Sequence, residues 1–196
     1  MAQELVMIKD RMSDTIIKTA RRIATLDGIK AVNVRNILRS LNITNRVFYN
    51  RFHNIEEVLS EIYRTTALKI RESVHVPIDP KKDFFEQVTD IVASTLVMSY
   101  DNKMNMSQYV FESDSVSDVN CEWWRERIKA IIEYAIEKEY IKSLDTDVMS
   151  YSIWCFIRGY NADALARGIP KDEAVKNFRY SFGVFLEGMR KAKCEV

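Results

Sequence analysis

The sequence predicts an all-α chain of about nine helices, and three observations carry that prediction. Glycine and proline are scarce, with 5 and 3 in 196 residues, too few for an all-β chain that must turn every eight to twelve residues or so. Apolar residues recur at three- and four-residue intervals through most of the chain. Capping residues and helix-stop signals bracket those periodic runs. With 47% hydrophobic and 29% charged residues, the composition is that of a globular protein with a sizeable core.

The first run covers residues 3–27, with Ile8, Met12, Ile16, Ala20, Ile23 and Ala24 on one stripe and Gly28 placed to end it. Two short helical patterns follow, at 34–41 and 45–51, and then a longer one at 55–74 with Val58, Leu59, Ile62, Tyr63, Ala67 and Ile70 facing inward. The segment His75-Val76-Pro77-Ile78-Asp79-Pro80 is the clearest boundary. Pro77 disfavours helix at Val76, and Asp79-Pro80 reads as the cap and first position of the next helix. That helix, 81–100, would bury Phe84, Phe85, Val88, Ile91, Val92, Thr95 and Leu96. A shorter helix is expected at 104–112, another capped near Ser117 at 118–140, and one from Asp145 to Ala166. Arg167-Gly168-Ile169-Pro170 stops that helix and restarts the chain in the last one, 171–191. The expected division is a head at 1–54, a connecting helix at 55–74 and a helical body at 75–196.

Charge separates along the same division. Residues 1–55 hold ten Lys and Arg against four acids, a net +6, which leaves −5 for the rest of a chain whose total is +1. A basic head on an acidic body points to a polyanion as the head's partner. The three cysteines, Cys121, Cys155 and Cys194, are odd in number and far apart, so they read as reduced thiols of a cytoplasmic protein with neither disulfide framework nor zinc site. No stretch is apolar enough for a signal h-region or a membrane span, and no membrane partner is expected.

The stretch NVRNILRSLNITNRVFYNRF, residues 33–52, carries the functional signal. Asn33 can cap a helix whose inward positions are Val34, Ile37 and Leu38. Leu41-Asn42-Ile43 makes a tight turn in which Asn tolerates the left-handed conformation. Thr44 then caps a second helix with Val47 and Phe48 facing in. This is the spacing of a helix-turn-helix, whose second helix enters the major groove of DNA. The outward residues suit that task, because Arg reads guanine, Asn reads adenine, and Tyr reaches a phosphate or a thymine methyl. No acid occurs between Ala31 and Asn54. The candidate DNA contacts are Asn33, Arg35, Thr44, Asn45, Arg46, Tyr49, Asn50, Arg51 and His53.

At these residues the stretch TARRIATLDGIKAVNVRNILRSLNITNRVFYNRFHNIEEVL resembles the N-terminal domain of the TetR family of regulators. Ala20, Gly28, Ile37, Tyr49, Phe52, Glu56 and Leu59 stand at the family's positions without a gap. The resemblance is strong over residues 12–60 and rests on length and helix order beyond them. Three positions depart. The family's Ile-Ala is Ile37-Leu38, its turn Gly is Asn42, and the Lys at the start of the fourth helix is Ile55, which passes that phosphate contact to Arg51, His53 or Asn54. The resemblance implies a homodimer on a palindromic operator in double-stranded DNA, repression as the default, and release by a small effector bound in the body.

In that arrangement the last two helices form the dimer interface, and the candidate residues are Tyr151, Cys155, Phe178, Phe182, Phe185 and Met189. The helix from Val148 to Ile157 is apolar on nearly every side, as expected if it is covered twice. Aromatic and Met residues crowd the middle helices, and Met98, Tyr109, Phe111, Trp123, Trp124, Tyr151, Trp154 and Arg158 are the candidates for a pocket that takes an apolar or amphipathic effector. Arg158 would hold an anionic ligand, and Glu112 or Asp163 a cationic one; the alternative is that most of these residues fill the core and that Arg158 pairs across the interface. Catalysis has little support. The only histidines are His53 and His75, with no Ser or Cys at a recognisable motif spacing, and no phosphate loop, zinc motif or other cofactor signature appears.

Overall fold

A computed structural model of the chain describes residues 7–101, 113 and 117–191. Among them eight α-helices follow one another: α1 (Arg11–Asp27), α2 (Val34–Leu41), α3 (Asn45–Tyr49), α4 (Ile55–Ser73), α5 (Phe84–Asp101), α6 (Asp118–Glu137), α7 (Thr146–Ala166) and α8 (Lys171–Glu187). The helix expected at 104–112 lies outside the described residues. One antiparallel bridge, Ile141 with Arg190, ties the loop after α6 to the end of α8.

The helix ends follow from capping chemistry. α1 starts at Arg11, eight residues later than the start of the expected run, because Asp10 accepts from the backbone N–H groups of Met12 and Ser13 and Ser13 returns the contact in a capping box. Gly28 ends α1 at φ 85°, a backbone region L side chains rarely adopt. Asn33 caps α2 by accepting from Asn36 N–H, and Asn42 closes that helix in the left-handed conformation, φ 52° and ψ 46°. α5 begins at Phe84, after the expected Asp79-Pro80 start. Asp79 instead makes a turn with Lys81 and Lys82, and Asp83 supplies the cap by accepting from Glu86 N–H. Asp145 caps α7 and Ser117 caps α6.

Buried apolar side chains fall into two clusters. The first unites Ile16, Ala20, Ile23 and Ala24 of α1 with Val32, Ile37, Phe48, Phe52, Val58 and Ile62. The second runs from Val74 to Met189 and is built from α5 to α8, with α6 packed on α7 and α5 packed on α8. Helix α4 belongs to both: Val58 and Ile62 lie in the first cluster, and Ile70 packs on the second. Arg21 fastens α1 to this shared helix by donating to Thr65 Oγ1 at 2.6 Å and Thr66 Oγ1 at 3.2 Å. No helix among the described residues is long and apolar enough to cross a membrane.

Candidate nucleic-acid interface

Helix α3 has five residues, Asn45–Tyr49, far too few to hold a helix by propensity alone. Its inward residue Phe48 does that work. Phe48 is completely buried and meets Tyr49 edge-on at 5.3 Å and Phe52 at 5.7 Å. The turn before it is set by Asn42, whose left-handed backbone reverses the chain within three residues. With Phe48 inserted, Thr44, Asn45, Arg46, Tyr49 and Asn50 stand exposed beside exposed Arg35. Tyr49 keeps 49% of its surface open, high for an aromatic of a short buried-core helix. The Thr44 hydroxyl makes no capping bond, so it is free to meet a phosphate.

Three of the expected contact residues are committed elsewhere. Asn33 spends its side-chain oxygen on Asn36 N–H and its amide on Ala31 O. Arg51 folds back over α3, donating to Val47 O and, through Nε and Nη2, to both carboxylate oxygens of Asp10 at 2.9 and 2.5 Å. His53 lies against Glu57, with Nδ1 2.5 Å from Oε1 and its backbone N–H donating to Oε2 at 2.8 Å. Asp10 and Glu57 flank the acid-free segment in space although they are outside it in sequence. Arg51 is therefore a clamp between the start of α1 and the end of α3, assisted by Ile8 N–H donating to Asn50 O.

The clamp has a pH signature. The Arg51 guanidinium beside Asp10, helped by Ser13 N–H, holds the Asp10 carboxyl well below the usual carboxylate range. A carboxylate stabilised in the fold contributes above its unfolded pKa, near pH 4, and the contribution is lost as acid protonates it. Asp10→Asn should therefore lower the urea midpoint at neutral pH and flatten its fall below about pH 4. Identical pH profiles for the two proteins would show that the clamp adds nothing to stability.

In the body, Trp124 and Trp154 are buried and stacked at 5.5 Å, and Trp123 packs edge-on against Trp124 at 5.0 Å. Met98 and Arg158 are half-buried, whereas Tyr109 and Phe111 lie outside the described residues. Tyr151 is 53% exposed, with the Arg125 guanidinium over its ring at 5.8 Å. A void of about 40 Å³ between Phe85, Ile128, Ile153 and Met189 is far below the ~300–1,000 Å³ of a drug-sized pocket.

The residues expected at the dimer interface divide by burial, with Tyr151 and Cys155 exposed and the others not. Phe178, Phe182 and Met189 are buried within a single chain, and Phe185, half-buried, stacks with Phe156 and Phe182. Their i, i+4 spacing marks the core face of α8. Exposed apolar residues lie elsewhere on the same two helices: Tyr180 and Val184 on α8, and Val148, Tyr151 and Cys155 on α7. Sequence reasoning also passed over Arg71 and Asn120, which join α4 to α6; neither belongs to a motif.

Residues 16–62 match the family model of bacterial regulatory proteins, tetR family. Over that span the chain is similar to the DNA-binding domain of the TetR family. The matched span runs from within α1 to the middle of α4 and includes every buried apolar residue of the first core. The TetR-like fold extends through the body. A TetR-family transcriptional regulator from Pectobacterium atrosepticum superposes with a TM-score of 0.74 at 15% identity, covering 94% of this chain and 99% of that one. A putative transcriptional regulator from Saccharomonospora viridis in complex with choline gives 0.70 at 14% identity, covering 94% and 100%. The fatty acid degradation regulator FadR from Bacillus halodurans gives 0.69 at 16% identity, covering 89% and 96%. A search of curated proteins found no match. A TetR-family head on a body of this fold is the architecture of a DNA-binding transcriptional regulator.

Proposed function

We propose that the chain is a cytoplasmic repressor: a homodimer on a palindromic operator, released when a small effector binds in the body. The head, residues 1–54, would read DNA, the helix at 55–74 would connect, and residues 75–196 would dimerise and hold the effector. The observation that carries the DNA reading is the exposed row Thr44, Asn45, Arg46, Tyr49 and Asn50 on a helix seated by Phe48, with Arg35 beside it as a phosphate contact. Arg51 and His53 serve this surface indirectly, through Asp10 and Glu57.

Two heads must be held about one helical turn of DNA apart, which a dimer through α7 and α8 supplies. The exposed Val148, Tyr151, Cys155, Tyr180 and Val184 form the apolar face such a dimer covers. Neighbours with a choline complex and a fatty acid role and the tryptophan cluster of the body support an apolar or amphipathic effector with an aromatic or cationic part.

The test is binding to duplex DNA from just upstream of the protein's own gene, titrated at two salt concentrations against unrelated competitor. Specific binding should weaken steeply with salt, by about 10³-fold or more between 50 and 200 mM if six or more phosphates are contacted. Tyr49→Ala and Arg46→Ala should each cost about 1–3 kcal/mol of operator affinity with the fold intact. Unchanged affinity in both would remove α3 as the reading helix, and no binding to any DNA at low salt would sink the reading.

A further inference from the structure

Helix α4 is shared by both cores, so whatever fixes its far end fixes the head against the body. Arg71 lies in its last turn. The Arg71 guanidinium donates from Nε at 2.9 Å and from Nη2 at 2.5 Å to a single acceptor, Asn120 Oδ1, and its Cζ lies 4.8 Å from the centroid of the Trp123 ring. Asn120 is buried, 4% exposed, in the first turn of α6, which its backbone N–H joins to Ser117 Oγ at 3.2 Å. About two turns along α6, Arg127 donates to the backbone oxygen of Val74, the residue that caps α4, at 3.2 Å. From Trp123 the contacts continue edge-on to Trp124 and, by stacking, to Trp154 of α7. An unbroken series of side chains thus runs from the helix that carries the head to the aromatic centre of the body.

The residue types make this junction sensitive to small displacements. A guanidinium is a planar fork that must face its amide partner and lie on the aromatic ring at the same time. A shift of α6 along α4 breaks both contacts together and strips two charge-assisted hydrogen bonds from a buried amide. Packed junctions of this kind have two arrangements rather than a continuum.

We propose that Arg71, through Asn120 and Trp123, is the positioning residue by which the tryptophan cluster of the body and the DNA-binding head bias one another. This rests on the reading of the chain as a DNA-binding regulator. Coupling between two sites is reciprocal in binding free energy. DNA on the head therefore alters the surroundings of Trp123, and a ligand that disturbs the cluster alters the head by the same factor.

Reciprocity supplies a test that needs no effector. The full-length protein is titrated with the upstream duplex carrying an end label, and DNA anisotropy and tryptophan emission with iodide quenching are recorded together. Trp123 is the half-buried one of the chain's three tryptophans, so the quencher reports on it. In the unvaried protein, emission and quenching should change in step with anisotropy, and Trp123→Phe should remove the change. Arg71→Ala and Asn120→Ala should still bind DNA, with the change lost. Arg71→Lys, which keeps a cation but not the fork, should recover part of it. A junction of purely structural worth would lower the melting temperature of these variants while leaving the optical change intact, and that result overturns the proposal. So does DNA binding by the unvaried protein with silent tryptophans. If Arg71→Ala does not fold by circular dichroism, Asn120→Ala decides alone. Flat anisotropy in the unvaried protein instead removes the DNA-binding reading, and this proposal with it.

Discussion

Phe48→Ala should unfold the head and abolish operator binding while the body stays folded. The side chain is fully buried at the centre of the first core, between Phe52 and the residues of α1, α2 and α4. Truncating a buried Phe costs about 3–5 kcal/mol, and whole domains are stable by only about 5–15 kcal/mol. A core of some fifty residues sits at the low end of that range. The loss also falls where it cannot be shared, because five-residue α3 has no stability of its own. Calorimetry should show the head's transition moved to low temperature or lost, with the body's transition near its original place because the two cores are separate. Leu26→Ala is the control: at 68% exposure in the same head, it should change stability by no more than about 0.5 kcal/mol. A Phe48→Ala protein that binds operator normally would mean that α3 is held by something other than this core.

The head was legible in sequence because its determinants are local. Asn33 and Asn42 act within three or four residues of themselves, and a cap, a left-handed turn residue and the helical stripe that carries Phe48 have short-range signatures. The roles of Arg51 and Arg71 were not legible, since their partners Asp10 and Asn120 lie 41 and 49 residues away. An acid-free stretch in sequence says nothing about acids that folding brings to its border, and Asp10 and Glu57 are both such acids. The body poses a different problem. In α8, periodicity groups Phe178 and Phe182 on one face and Tyr180 and Val184 on another, but both faces are apolar. Which of them meets the chain's own core depends on how α5 and α7 arrive, and residue spacing does not encode that. The structure buries the phenylalanines, which have the larger apolar area to remove from water, and leaves Tyr180 at 76% and Val184 at 58% exposure.

That assignment separates two kinds of substitution on one helix. Tyr180→Glu combined with Val184→Glu should give monomers in sedimentation equilibrium with an unchanged far-ultraviolet circular dichroism spectrum, since neither side chain supports its own chain's core. Two carboxylates brought against their symmetry mates repel each other and are desolvated at the centre of an isologous interface. Operator affinity should fall with the dimer, because a second half-site bound through a linked head is worth about 10²–10⁴-fold. Phe182→Asp should behave otherwise. At 1% exposure, stacked among Phe156, Phe178 and Phe185, it puts an unpaired charge into the core and should unfold the body rather than merely split the dimer. If the Tyr180 and Val184 double variant stays dimeric, the interface lies elsewhere and the exposed face of α7 and α8 awaits another partner. If Phe182→Asp gives folded monomers instead, α8 turns its phenylalanine face outward and the core must be repacked accordingly.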